Sequence, residues 1–304
     1  MRFRPDFRMP FFTTPQRASD QSERSERIRS EHLTGSCKNG NEKVQSSEKA
    51  VFDYPTIILL GPTGSGKTGV SIEIAKAING EIISADSRAI YKGMDIGTAK
   101  PTKEEMQGIS HYAIDLVEPG ERFTVSDWKN YADEKIKDIK ARDKVPIIVG
   151  GTGLYIDALI YDYHFKGPTG EKIGDFEQKT CSDRNSIKGD YLIIGIKWDV
   201  ELLRERLKKR LDIMFCDELY QETKALVKKY GWGSGAMKSD IYEYVWKYLQ
   251  GELTLEEAKE QCFYEDWHLA KRQLTWFKRN KEIIWLELDK IYPYIIERLD
   301  SIKN

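Results

Sequence analysis

The stretch that most limits how this chain can fold is Gly61-Pro62-Thr63-Gly64-Ser65-Gly66-Lys67-Thr68. It fits G-x-x-x-x-G-K-[ST], a pattern that ordinary residue usage yields in roughly one chain of this length in a hundred. Before it, Thr56-Ile57-Ile58-Leu59-Leu60 is short, apolar and stopped by glycine, which predicts a strand buried on both faces. After it, Val70, Ile72, Ile74, Ala75 and Ile78 keep a helical rhythm as far as Asn79-Gly80. Strand, glycine-rich loop and helix in this order make an anion cradle. The glycines let successive N–H groups curl toward phosphate oxygens, and the helix start adds its dipole. Lys67 contributes a point charge, and the Thr68 hydroxyl can hold Mg²⁺. All eight residues are candidate phosphate contacts.

The alternation continues downstream. Glu81 to Ala85 reads as a second strand, Trp128 to Ala141 as a helix, Val145 to Val149 as a strand and Tyr191 to Trp198 as another. Strands and helices at this spacing predict an α/β fold, a P-loop NTPase-like parallel sheet flanked by helices. From about Glu201 the pattern turns mostly helical. Leu203, Leu207, Leu211, Met214 and Phe215 share one face, while Arg204, Arg206, Lys208, Lys209 and Arg210 occupy others. The expected organisation is an α/β core at 51–165, a reduced insertion at 166–190, and a last core strand with a helical portion at 191–304. Residues 1–50 stand apart, with 12 apolar residues and much Ser, Arg, Glu and Gln, and are expected to be a disordered extension. Their first thirty residues hold seven Arg, but Asp6, Asp20, Glu23 and Glu26 break up any transit sequence.

Charge narrows the partners. Basic and acidic residues number 48 and 49, so no global field draws polyanions to the chain, although local patches stay open. No apolar run is long enough for a membrane span. Cys37, Cys181, Cys216 and Cys262 form no C-x-x-C pair, which argues against a zinc ribbon or disulfide framework and points to a reducing cytoplasm.

Which phosphates the loop binds is a separate matter. An ordinary nucleoside triphosphatase needs an acid at the end of a later apolar strand to organise Mg²⁺. Here Val145-Pro146-Ile147-Ile148-Val149 runs into Gly150-Gly151-Thr152-Gly153, without an acid. That argues against an ATP hydrolase and for a group-transfer enzyme. Asp86, after the second strand, faces the same edge as the loop in a parallel sheet. It can serve as general base or Mg²⁺ ligand, or simply as a turn residue. Gly97-Thr98-Ala99-Lys100-Pro101 and Gly150 to Gly153 are either turns or places of close approach by a substrate.

Taken together, GPTGSGKT, SADSRAIYKGMDIGTAKP, HYAIDLVEP and VPIIVGGTGLYIDAL, followed by AKRQLTWFKRNKEIIWLELD, resemble the tRNA dimethylallyltransferase (tRNA isopentenyltransferase) family in order and content. The resemblance covers 55–165 closely and 191–289 more loosely. It implies that the phosphate loop holds the diphosphate of dimethylallyl diphosphate. The exocyclic amine of an adenosine beside the tRNA anticodon then attacks the allylic carbon. It further implies that Asp86 is the general base, and that Lys67 and Thr68, with Mg²⁺, stabilise the leaving group. Asp86, Ser87, Arg88, Ala89 and Thr152 match positions that meet the tRNA. A cytoplasmic monomer is implied as well. Lys271 and Arg272 open a stretch, 271–281, with five cations and no acid. It reads as an RNA surface, or as an amphipathic helix with Leu274 and Phe277 in the core.

The chain also departs from the pattern. Fewer than thirty residues join Tyr163 to Tyr191, where the family carries a longer Arg-rich insertion. Its I-G-Y-[KR]-E stretch becomes Asp240-Ile241-Tyr242-Glu243-Tyr244-Val245-Trp246, and the segment before AKRQ reads Glu265-Asp266-Trp267-His268-Leu269 where the family tends to have Thr-Arg. These departures raise two other readings: prenylation of a small adenine nucleotide, and a non-catalytic RNA-binding paralogue.

Overall fold

Thr56–Leu60 forms strand β1, buried along its whole length, and a glycine-rich turn carries the chain into helix α1, Lys67–Ala77. In this computed structural model the described residues are 54–165, 178–179, 186–232, 235–237 and 240–303, all within the unit Val51–Asn304. The expected extension at 1–50 lies outside them, as do Cys37, Cys181 and most of the insertion expected at 166–190.

The elements that follow are β2 (Gly80–Ala85), α2 (Lys103–Met106), β3 (His111–Tyr112), α3 (Val125–Ala141), β4 (Val145–Gly150) and α4 (Gly153–Ile160). A short antiparallel pair, β5 (His164–Phe165) and β6 (Gln178–Lys179), comes next. Then β7 (Tyr191–Lys197) leads to α5 (Val200–Met214), α6 (Asp217–Tyr230), α7 (Asp240–Leu249) and α8 (Leu255–Phe277). Finally β8 (Ile284–Glu287) and α9 (Leu288–Lys303) return to the sheet. The main sheet runs β3-β2-β4-β1-β7-β8, every neighbouring pair parallel.

Alternation explains why its strands are apolar runs. Ile58, Leu60, Ile83, Ile148 and Ile193 pack on one face with Trp128, Ile156 and Phe277. Ile57, Leu59, Ile82, Ile147 and Ile194 pack on the other with Ile74, Ile291 and Ile295. A third cluster joins Leu203, Leu207, Leu211, Leu219, Tyr242, Val245 and Phe263 across α5 to α8.

Two boundaries differ from the sequence expectation. Helix α3 begins at Val125 rather than Trp128, because Thr124 and Asp127 form a capping box that the apolar rhythm does not register. Tyr191–Lys197 is also not the last core strand. Ile284–Glu287 continues the sheet beyond it, pairing Ile194 with Ile284 and Ile196 with Leu286. Four residues are too few for a period-two signal to stand out from a helical surround.

At the lower end of β2 the Glu81 carboxylate, 4% exposed, accepts from Arg142 Nη1 and Nη2 (2.8 and 2.6 Å), Lys144 Nζ (2.6 Å) and the Tyr112 hydroxyl (2.9 Å). The Arg142 hydrogen bonds lead in pulling its pKa down to about 2. A depressed carboxylate contributes stability above its unfolded-state value and loses it as pH falls toward the folded-state value. Glu81→Gln is therefore expected to cost about 3–5 kcal/mol near neutral pH. The gap to the parent should shrink between pH 4.5 and 2 in denaturant melts, and a constant gap would contradict the assignment.

Candidate active site

The loop between β1 and α1 turns on Gly64 (φ +74°) and Gly66 (φ +86°), both in the left-handed region that glycine enters freely. Lys67 folds back over it, its Nζ donating to the carbonyls of Gly61 (2.9 Å) and Pro62 (2.8 Å). Burial lowers the Lys67 pKa to about 8, against the pull of the Asp86 charge and with a smaller push from Arg210. Thr68 is exposed. Side chains from elsewhere hold the outside of the loop. Trp198 Nε1 donates to the Ser65 carbonyl (3.0 Å), Arg206 Nε to the Gly64 carbonyl (3.1 Å) and Arg210 Nη1 to Thr63 Oγ1 (2.5 Å). The Thr63 N–H donates to Gln273 Oε1 (2.9 Å).

Asp86 stands just beyond β2, where its Oδ1 accepts from the N–H groups of Arg88 (2.7 Å) and Ala89 (3.4 Å). The Ser87 N–H donates to Thr152 Oγ1 (3.1 Å) and the Thr152 N–H to the Ala85 carbonyl (3.1 Å), so the ends of β2 and β4 are stitched together. The structure thus brings Asp86, Ser87, Arg88, Ala89 and Thr152 into one turn cluster. Strand β4 lies between β2 and β1, yet it ends in glycine. A Cβ at Gly150 would stand 2.2 Å from the Ala85 carbonyl, so glycine is what lets the ends of β2 and β4 close up there. The other neighbour of β1, strand β7, is followed by Asp199. That acid caps α5, accepting from the N–H groups of Glu201 and Leu202 at 3.0 Å.

The remaining glycines admit protein as well. A Cβ at Gly151 would meet Gln273 Nε2 at 2.3 Å, and one at Gly153 would meet the Trp276 ring at 2.3 Å. These positions let α8 approach β4 and α4, where the sequence left close approach by a substrate open. Likewise Gly97 leaves room for the Tyr242 ring, 2.4 Å from where its Cβ would be. Glu222 accepts from the N–H groups of Ile96 (2.9 Å) and Gly97 (3.1 Å) and from the Tyr242 hydroxyl (2.6 Å). Lys100, buried, donates to Asp95 (2.8 Å) and Asp115 (2.5 Å). The Gly97–Pro101 loop is a clamped structural turn.

Lys271 and Arg272 are exposed on α8 and, with His268, Thr275, Trp276 and Arg279, line a groove of about 490 Å³. Arg279 stacks 3.9 Å over the Trp276 ring, whose Nε1 donates to Asp157 (3.0 Å). On the opposite side Ala270 and Phe277 are buried. Phe277 is buried as the amphipathic reading expects, whereas Leu274 is only half-buried. Sequence reasoning missed Gln273, Arg206, Arg210 and Trp198 as partners of the loop. The i, i+4 spacing of Arg206 and Arg210, beside the buried leucine stripe, was the available signal.

A parallel sheet whose β1 runs through the GPTGSGKT turn into α1, with Asp86 just beyond the end of β2, defines a phosphate-loop α/β protein. The comparisons are specific. A family model described as IPP transferase matches residues 89–171 and 165–280, two pieces that overlap at 165–171. A tRNA dimethylallyltransferase of Bacillus pumilus is 36% identical over 306 positions, covering 81% of this chain and 96% of the relative. One from a Thermoanaerobacter species is 37% identical over 295 positions, covering 78% and 93%. Among solved structures, a tRNA isopentenylpyrophosphate transferase of Staphylococcus epidermidis aligns with a TM-score of 0.71 at 36% identity, covering 82% of this chain and all of that one. Its counterpart from Bacillus halodurans gives 0.71 at 29%, covering 82% and 98%. The chain belongs to the IPP transferase family.

Proposed function

We propose that the protein transfers a dimethylallyl group from dimethylallyl diphosphate to the exocyclic N6 amine of an adenosine beside the anticodon of a tRNA. What supports this reading is the glycine-rich turn between β1 and α1 with Lys67 folded over it, together with Asp86 held at the end of β2 beside Thr152. The amine nitrogen bonds to the allylic carbon as the carbon–oxygen bond to diphosphate breaks. Asp86 takes the proton from that nitrogen, and Lys67 meets the charge that grows on the leaving oxygen. The loop residues Gly61 to Thr68 hold the diphosphate. Asp86 to Ala89 and Thr152 receive the adenosine.

Among the described residues no cluster of three or more His, Cys, Asp or Glu could hold a metal. The donor set fits Mg²⁺ that arrives with the diphosphate, because that ion needs only one or two protein oxygens beside phosphate oxygens. Thr68 would supply the hydroxyl, and the ion would neutralise charge on the leaving diphosphate. No helix among the described residues is long and apolar enough to cross a membrane. We take the enzyme to be cytoplasmic. We take it to act as a monomer. In the division of labour we propose, 51–165 carries the chemistry. The segment 191–304 grips RNA, 166–190 is a reduced insertion and 1–50 is an extension.

Labelled dimethylallyl diphosphate, offered with tRNA in one reaction and AMP in another, tests the assignment. Label is expected in tRNA. Label in AMP alone would make this a small-nucleotide prenyltransferase, and label in neither would make it a non-catalytic paralogue.

Lys271 and Arg272 lack a carboxylate partner among the described residues, and both line a concave groove, so phosphates are their natural counterions. Replacing both by alanine is expected to raise the KM for tRNA. It should also make the log–log salt dependence shallower by about one or two. An unchanged slope would return this face to plain solvation.

A further inference from the structure

Gln273 joins two parts of the cleft that are remote in sequence. Its Oε1 accepts from the Thr63 N–H at the entry of the phosphate loop (2.9 Å), and its Nε2 donates to the Gly151 carbonyl beyond β4 (3.1 Å). Gly151 leaves the room for this approach, since a Cβ there would stand 2.3 Å from the amide nitrogen. Thr63 is the third residue of the phosphate loop, and Gly151 precedes Thr152, which holds Ser87 beside Asp86. The residue therefore touches the frames of both half-sites. Its neighbours on the same turn of α8 are Lys271, Arg272, Thr275 and Trp276, which line the basic groove. A second tie from that turn, Trp276 to Asp157, fixes it to α4.

We propose that Gln273 is a positioning residue that couples RNA binding in the α8 groove to diphosphate binding in the phosphate loop. The proposal rests on the transfer reaction above. RNA phosphates seated on Lys271 and Arg272 hold this turn of α8 still. The amide passes that constraint to Thr63 and Gly151. A loop already fixed at its entry loses less freedom when diphosphate arrives, so the second ligand binds more tightly. Linkage makes the effect reciprocal.

The test titrates Mg²⁺ with inorganic diphosphate, an unreactive probe of the loop, into the full-length protein by calorimetry, with and without saturating tRNA. In the parent, tRNA is expected to tighten diphosphate binding about tenfold, within the usual range of allosteric coupling. Gln273→Met keeps the volume but loses both hydrogen bonds, and should bring that ratio to about one while each ligand alone binds within about threefold of the parent. Gln273→Asn, one methylene short of spanning both groups, should show the same loss. A parental ratio in both variants would overturn the proposal. So would a parent that binds both ligands without coupling. If the parent bound no tRNA, or transferred no label to it, the reaction assignment would fail first and the proposal with it.

Discussion

Replacing Asp86 by alanine is expected to lower turnover by about 10²–10⁴, the usual worth of a positioned general base, and to change diphosphate affinity only a few-fold. The structure gives this residue a second task, which the experiment must separate from the first. Oδ1 accepts from the Arg88 and Ala89 N–H groups, so losing the side chain also loosens the turn that would receive the adenosine. Asp86→Asn keeps a carbonyl oxygen for those donors but cannot take a proton. Single-turnover label transfer with both substrates saturating should therefore fall as far in the asparagine variant as in the alanine one. Parental turnover in Asp86→Asn would make the residue a turn former and nothing more.

Lys67→Ala should lower kcat/KM for dimethylallyl diphosphate by about 10²–10³, in line with the loss of one preorganised charge on a leaving group. The pH profile makes this more specific. Burial holds the Lys67 pKa at about 8 in the free protein, so the ammonium form prevails below that pH and is depleted above it. The profile of kcat/KM, which reports groups on the free enzyme, should bend downward near pH 8. Lys67→Arg keeps the charge in a group that does not deprotonate in this range. That variant should be slower, because a planar guanidinium fits the loop poorly, but its alkaline limb should be gone. An identical limb in Lys67→Arg would assign the titration to another residue.

The phosphate-loop turn and the position of Asp86 could be read from sequence because their parts are local. A glycine-rich turn after Leu60 and an acid directly after Ala85 need only a strand on one side and a known edge of the sheet. The rest of the site depends on contacts between residues far apart in the chain. Gln273 meets Thr63 across 210 positions, and Arg210 meets Thr63 across 147. No periodicity encodes such pairs. The same holds for Gly151 and Gly153. A glycine cluster signals that something comes close, but only the fold shows that the visitor is α8. Strand β8 was hidden for a different reason, its brevity inside a helical context. Glu81 was read only as part of a strand, because its ion cluster with Arg142 and Lys144 forms when the foot of β2 meets the end of α3.

The position of β8 and α9 bears on how the molecule is made. Strand β7 gains its outer partner, and α1 its companion on the same face, from residues translated after all four helices α5 to α8. While the ribosome is still producing those helices, the nascent sheet has an open edge and an unshielded apolar flank, a state prone to mispairing. Because β1 of 51–165 pairs with β7 of 191–304, neither segment is a separable module, and a cut between them would leave two sticky fragments.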